Sequence, residues 1–209
     1  MSIEQALEVA AAVRCSDAVY EFEPVQDFEL VWQLELNNQA VGLYASSVIP
    51  GWHLLVFRGS EELEDWIVNF TVWPPHQQAH RGYGLAWASL RPHVLQALEQ
   101  QQIDHLTLCG HSMGGALAQL AVLDIPRSAH LITFGSTKAV SRSLADAIAS
   151  KAAKGLRFVF GCDVAPLFPF TELHHSHPAV QIGPPRTWWR LLLGPWDHRM
   201  ANYLKALND

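Results

Sequence analysis

Cysteine is scarce in this chain: Cys15, Cys109 and Cys162 are the only three in 209 residues. An odd, widely spaced set supplies neither a disulfide framework nor a zinc spacing, and its simplest reading is a reducing compartment. Basic residues are also few, 14 Lys and Arg against 20 Asp and Glu, for a net charge of -6. No basic stripe is visible, which argues against nucleic acid as a partner and against electrostatic docking on anionic membranes. No uncharged apolar run approaches the ~18 residues that a transmembrane segment needs. The N-terminus, Met1-Ser2-Ile3-Glu4-Gln5, has no basic region. The Ala-rich run from Ala6 to Val13 is broken by Glu8 and leads to no cleavage site, so no signal peptide is read. The expectation is a soluble, cytoplasmic protein. With no internal repeat, low-complexity tract or linker, residues 1–209 read as a single domain.

What is present is a globular composition, 49% hydrophobic and 16% charged, which excludes a disordered chain. Eight tryptophans are many for this length and suit a core or a surface that meets greasy ligands. Residues 3–14 carry a helical period. Val31–Leu36 and Ala40–Ser46 read as two strands around the turn Asn37-Asn38-Gln39. His53–Phe57 is a short apolar run stopped by Arg58-Gly59-Ser60, consistent with a buried strand. Gly84–Gln102 is helical by period. From there strands and helices alternate: strand Leu106–Cys109, helix Met113–Leu123, strand His130–Phe134, helix Ser141–Ala152, strand Leu156–Phe160. Pro178–Ile182 reads as an edge strand, and Asp197–Leu207 as a closing helix with Asp197 as its N-cap. This order implies an α/β fold, a mostly parallel central sheet with helices on both faces and an antiparallel edge hairpin. In such folds ligands sit beyond the C-terminal ends of the strands.

The strongest motif is Gly110-His111-Ser112-Met113-Gly114-Gly115, placed between an apolar strand and a helix. This is the context of a nucleophile elbow, where the chain turns so sharply that the serine is strained and its hydroxyl exposed. Gly110 and Gly114 are required because side chains there would strike neighbouring elements. The helix start also favours negative charge on an attacked carbonyl oxygen.

A serine hydroxyl needs a base, and the base needs an acid to hold it. The chain order in this class of fold is serine, acid, histidine. Asp163 follows the strand Leu156–Phe160 directly and is the preferred acid; as a bland alternative it caps a loop. Asp124 lies at the far end of the helix after Ser112, and Asp146 falls mid-helix. His198 comes last and is the preferred base. His174, His175 and His177 cluster, but no carboxylate or cysteine spacing supports a metal there. They read as a polar loop. His111 adjoins Ser112 and is read as structural.

Four segments together resemble the class 3 lipase family, fungal triacylglycerol lipases and their bacterial relatives. They are Val56-Phe57-Arg58-Gly59-Ser60, His80-Arg81-Gly82-Tyr83, the elbow, and Phe160-Gly161-Cys162-Asp163-Val164-Ala165-Pro166; Asp197-His198 with Tyr203 completes the pattern. The resemblance covers about His53 to Leu204. It implies an α/β-hydrolase fold and a triad of Ser112, Asp163 and His198. It also implies an oxyanion hole from Ser60 and the Met113 N–H; each such donor is worth ~3 kcal/mol in the transition state. As an alternative, Ser60 is a helix cap.

The segment after Ser60 is a lid in the family. Here Leu63, Trp66, Ile67 and Phe70 recur at helical spacing opposite Glu61, Glu62, Glu64 and Asp65. A movable cover and an ordinary surface helix fit that period equally. Trp188 and Trp189, in the apolar stretch before His198, line an acyl site or pack in the core.

The implied reaction is acyl transfer from a lipid-like ester through Ser112, with no metal and no organic cofactor. Phospholipase or acyltransferase chemistry uses the same triad and stands as the alternative. A catalytically silent binding module would have lost a triad member, and none is missing. The partners expected are a lipid or other ester and transient contact with a lipid interface, with no nucleic acid.

Overall fold

The computed structural model describes residues 1–59, 81–169, 171–187 and 194–208. Its strands are β1 (Phe28–Leu36), β2 (Gln39–Ser46), β3 (Trp52–Phe57), β4 (His105–His111), β5 (His130–Phe134), β6 (Lys154–Phe160) and β7 (Ala179–Ile182). Its helices are α1 (Ile3–Ala18), α2 (Arg81–Glu99), α3 (Met113–Asp124), α4 (Arg142–Lys151), α5 (Gly194–Asp197) and α6 (Met200–Asn208).

The strands form one sheet whose spatial order follows the chain from β1 to β7. β1, β2 and β3 pair antiparallel; β3 through β7 pair parallel. The β1–β2 hairpin closes through Asn37 and Asn38, both at positive φ (52° and 61°), the conformation a tight two-residue hairpin requires and asparagine tolerates. β7 is the other edge, as the proline before it suggests.

Each parallel strand is laid beside its predecessor in one direction. Right-handed crossovers then place successive helices on one face of the sheet. Leu55 and Phe57 of β3, Leu106 and Leu108 of β4, and Leu131 of β5 accordingly pack with Leu90 and Val94 of α2, Leu117 and Ala121 of α3, and Ile148 of α4. The opposite face carries the alternate residues Leu54, Val56, Cys109, Ile132 and Phe134. These are covered by Val9, Ala12 and Val13 of α1 and by Met200 and Tyr203 of α6. Large apolar side chains in these two layers each contribute about 1.5–3 kcal/mol by leaving water. Ser2 caps α1, accepting from the Gln5 N–H at 3.2 Å. Among the described residues, no helix is long and apolar enough to cross a membrane.

One element differs from the sequence expectation. The closing helix is two pieces: α5 ends at Asp197 and α6 begins at Met200, with His198 in the break. Asp197 is not a cap for the final helix. Its Oδ2 accepts the Cys162 N–H at 2.8 Å, tying the end of the chain to the loop after β6.

Candidate active site

The parallel strands deliver three loops to one end of the sheet. β4 runs into α3 through Ser112, which adopts φ 57° and ψ -125°, a conformation that costs a non-glycine residue of order 1–3 kcal/mol. Hydrogen bonds from Ser112 N to Phe134 O at 2.9 Å and from Gly115 N to Ser112 O at 3.1 Å hold the turn. A methyl group on Gly110 would stand 2.6 Å from the Gly114 carbonyl carbon, and one on Gly114 would strike the Phe57 carbonyl. The elbow is therefore the close approach of two backbones that the motif foretells. Met113 opens α3.

β6 delivers Asp163, fully buried. Its Oδ1 accepts the Ala165 N–H at 2.8 Å. His198 Nδ1 lies 2.9 Å from Oδ1 and 2.8 Å from Oδ2, so the carboxylate fixes the ring with its proton on Nδ1. The Tyr203 hydroxyl donates to Oδ2 at 2.5 Å and accepts the Phe160 N–H at 3.0 Å. Burial, and then the Asp163 charge, push the Tyr203 phenol well above its usual pKa, so it acts as a neutral donor.

Behind His198 stands His111. Its ring stacks on that of His198 with centroids 4.5 Å apart, and its Nε2 donates to the His198 carbonyl oxygen at 2.7 Å. Its Nδ1 then accepts from the Tyr20 hydroxyl at 2.9 Å. Burial first, and the neighbouring His198 second, hold His111 well below the usual imidazole pKa, so it stays neutral as a spacer. This agrees with a structural reading of His111. The Ser112 hydroxyl, one residue on, and His198 Nε2 are both buried and have no hydrogen-bond partner among the described residues. Buried polar atoms rarely stay unpaired, so these two stand out within the cluster.

Sequence reasoning missed Gly135, just after β5, at φ 53°. A Cβ there would lie 2.5 Å from Asp163 Oδ2, 2.9 Å from the Tyr203 hydroxyl and 3.0 Å from His198 Cε1. The glycine makes room for the acid, the phenol and the imidazole together. Its only sequence signal was a glycine following an apolar strand.

The rivals fall elsewhere. Asp124 accepts from Trp87 Nε1 at 2.6 Å and faces Arg91 at 3.4 Å, and Asp146 is exposed. His174 bridges to Val140, His175 Nε2 lies 2.8 Å from the Pro166 carbonyl, and His177 Nδ1 lies 2.9 Å from Ser176 Oγ. The backbone of His174 and the rings of His175 and His177 are thus engaged separately. Ser60, Leu63, Trp66, Ile67, Phe70, Trp188 and Trp189 lie outside the described residues.

The family model described as lipase (class 3) matches residues 54–173. The secreted mono- and diacylglycerol lipase A of Penicillium cyclopium is 25% identical over 138 residues, 59% of this chain and 45% of that protein. The chain thus spans about half the length of that relative. The solved Rhizomucor miehei lipase–propeptide complex superposes with a TM-score of 0.75 at 20% identity, covering 87% of this chain and 70% of that one. A triacylglycerol lipase whose catalytic centre is a serine protease triad gives 0.71 at 20% identity, covering 88% and 81%. At these identities the structural likeness shows the fold, an α/β-hydrolase, as expected from the sequence. The expected cytoplasmic location is corrected by the same comparison. The matched Penicillium proteins are named as secreted lipases, which overturns the cytoplasmic expectation.

Proposed function

Because this chain belongs to the class 3 lipase family, we propose that it is a serine carboxylic-ester hydrolase, carried on a single domain and acting on lipid or acylglycerol esters. One observation carries the reading. His198 gives one ring nitrogen to buried Asp163 and has no partner for the other among the described residues, while its ring stacks on His111, the residue before the strained Ser112.

In this mechanism His198 Nε2 takes the Ser112 proton as the hydroxyl oxygen attacks the ester carbonyl. Asp163 stabilises the imidazolium, and Tyr203 stabilises Asp163. The tetrahedral oxyanion is held by Ser60 and the Met113 N–H. The imidazolium returns its proton to the departing alcohol, leaving an acyl group on Ser112. Water then attacks the acyl carbonyl with the same histidine as base, releasing the carboxylic acid. Acylglycerols are the favoured substrates, since matched relatives are named mono- and diacylglycerol lipases. Contact with a lipid interface belongs to the reading: beside His198, Trp196 is 57% exposed, with the Arg199 guanidinium 4.1 Å over its ring.

Labelling with a fluorophosphonate tests the activated serine. Rapid, stoichiometric labelling at Ser112 is expected, and its absence in folded protein overturns the proposal. Hydrolysis of p-nitrophenyl esters from acetate to palmitate, with and without detergent, fixes the substrate class. Preferential acyl transfer to an added alcohol or lysolipid over water would move the assignment to acyltransferase.

A further inference from the structure

A second polar cluster lies at the opposite end of the sheet, where β4 and β5 begin. Glu8, on the sheet-facing side of α1, is buried at 5% exposure. Its Oε1 is 2.7 Å from His130 Nδ1, 3.2 Å from His105 Nε2 and 2.6 Å from the Thr107 hydroxyl. Its Oε2 faces Lys154 Nζ at 4.0 Å. The two imidazoles meet edge to face with centroids 4.4 Å apart. The three ligand atoms of Glu8, His105 and His130 all lie within 4.8 Å of one another.

We propose that Glu8, His105 and His130 form a binding site for one zinc-type divalent ion, which clamps α1 to the starts of β4 and β5. Zinc binds imidazole nitrogen and carboxylate oxygen at about 2.0–2.2 Å, so tetrahedral ligands stand about 3.3 Å apart. The His105 nitrogen already sits at that distance from Oε1, and the His130 nitrogen must retreat by a few tenths of an ångström. Both histidines have room to do so, with side chains 41% and 23% exposed. Each presents to the ion the nitrogen it now presents to Glu8; moving the ring proton to the other nitrogen frees the lone pair. Two imidazoles and a carboxylate suit zinc better than calcium or magnesium, which prefer all-oxygen shells.

The carboxylate is ready as an anionic ligand. Lys154 guards Oε2 and favours monodentate binding through Oε1. The open coordination position faces a cavity of about 330 Å³, also lined by Glu4, Leu7, Ile49, Trp52 and Lys154, large enough to keep a bound water. The side chains are already gathered, so little ordering entropy opposes binding.

The test uses untagged protein stripped with a chelator, then equilibrium dialysis against zinc or magnesium with metal analysis. One zinc per chain is expected, with no retained magnesium, and a thermal midpoint raised by about 5 °C at zinc about a hundredfold above Kd. Cobalt in place of zinc should give the visible bands of a low-coordinate nitrogen–oxygen site. The double variant His105→Gln/His130→Gln should abolish saturable zinc binding, and His105→Gln alone should weaken it by at least about a hundredfold, beyond what loss of an outer-shell partner costs, with folding checked by circular dichroism. No saturable zinc binding, or binding unchanged in folded His105→Gln protein, overturns the proposal and leaves a hydrogen-bonded tie between helix and sheet.

Discussion

Both ends of the sheet bury a carboxylate against imidazole, yet they are built for different tasks. At the C-terminal end Asp163 receives a single ring, His198, across both of its oxygens, and a phenol and a backbone amide complete its shell. Among the described residues the far nitrogen of that ring has no hydrogen-bond partner, and the ring stacks on His111, next to the strained Ser112. At the N-terminal end two rings converge on one oxygen of Glu8, and the nearby hydroxyl, Thr107, donates to the same oxygen and accepts from Trp52 Nε1 at 3.4 Å. On the proposed readings, a carboxylate–imidazole contact serves both a proton relay and a clamp. What separates them is whether a ring nitrogen remains uncommitted beside a nucleophile.

The largest effect that would sharpen this contrast is Ser112→Ala. Ester turnover should fall by at least about 10⁴-fold, as for other nucleophile deletions within a triad. The melting temperature should be kept or slightly raised, because alanine removes an unpaired buried hydroxyl. Steady-state hydrolysis together with thermal denaturation checks both. Retained turnover would place the chemistry away from the elbow.

Next in size is Gly135→Ala. The new methyl meets Asp163 Oδ2, the Tyr203 hydroxyl and His198 Cε1 within 3.0 Å, at a positive φ that itself costs an alanine about 1–2 kcal/mol. A loss of about 10²-fold in kcat is expected, since small misplacement of catalytic groups is expensive. Stability should fall by about 2–3 kcal/mol, read by denaturant titration.

Tyr203→Phe is milder. It removes one donor from Asp163 and strips the Phe160 N–H of its acceptor. The fold should lose about 1–3 kcal/mol. A drop of about tenfold in kcat with KM unchanged is expected if the phenol positions the acid. An unchanged kcat would reduce Tyr203 to a packing residue.

The division between what could and could not be read from the sequence follows the same geography. The elbow was legible because its requirements are local: two glycines, a strand before and a helix after. The hairpin at Asn37-Asn38 was legible for the same reason, and the alternation of strands and helices announced the parallel sheet, though not the order of its strands. Asp163 and His198 were chosen by chain order and by their place after a strand or near the closing helix, and the structure brings the two side chains to 2.8 Å. Asp197 was misjudged because an acid before a helix looks like a cap, while its partner, the Cys162 N–H, lies 35 residues away. Gly135 gave no signal beyond its type, since its task is to leave space for side chains from β6 and α6. The cluster around Glu8 was invisible because His105 and His130 lie 97 and 122 residues further along, and no spacing rule reaches that far.

The smallest expected effect on catalysis is the most discriminating between the two ends. His105→Gln touches an imidazole 41% exposed and held to Glu8 at 3.2 Å, with the whole sheet between it and Ser112. Glutamine keeps a donor of similar reach, so stability in metal-free protein should fall by only about 0.5–1 kcal/mol, a shift of about 1–4 °C in Tm. Because β4 carries His105 at one end and leads to Ser112 at the other, a twist of the strand would transmit to the elbow, and kcat/KM would report it. We expect kcat/KM to stay within about twofold of the parent protein, since distant sites with no shared partners act nearly independently. A loss approaching that of Tyr203→Phe would mean that the two ends are mechanically one unit, and the separation of relay from clamp would fail.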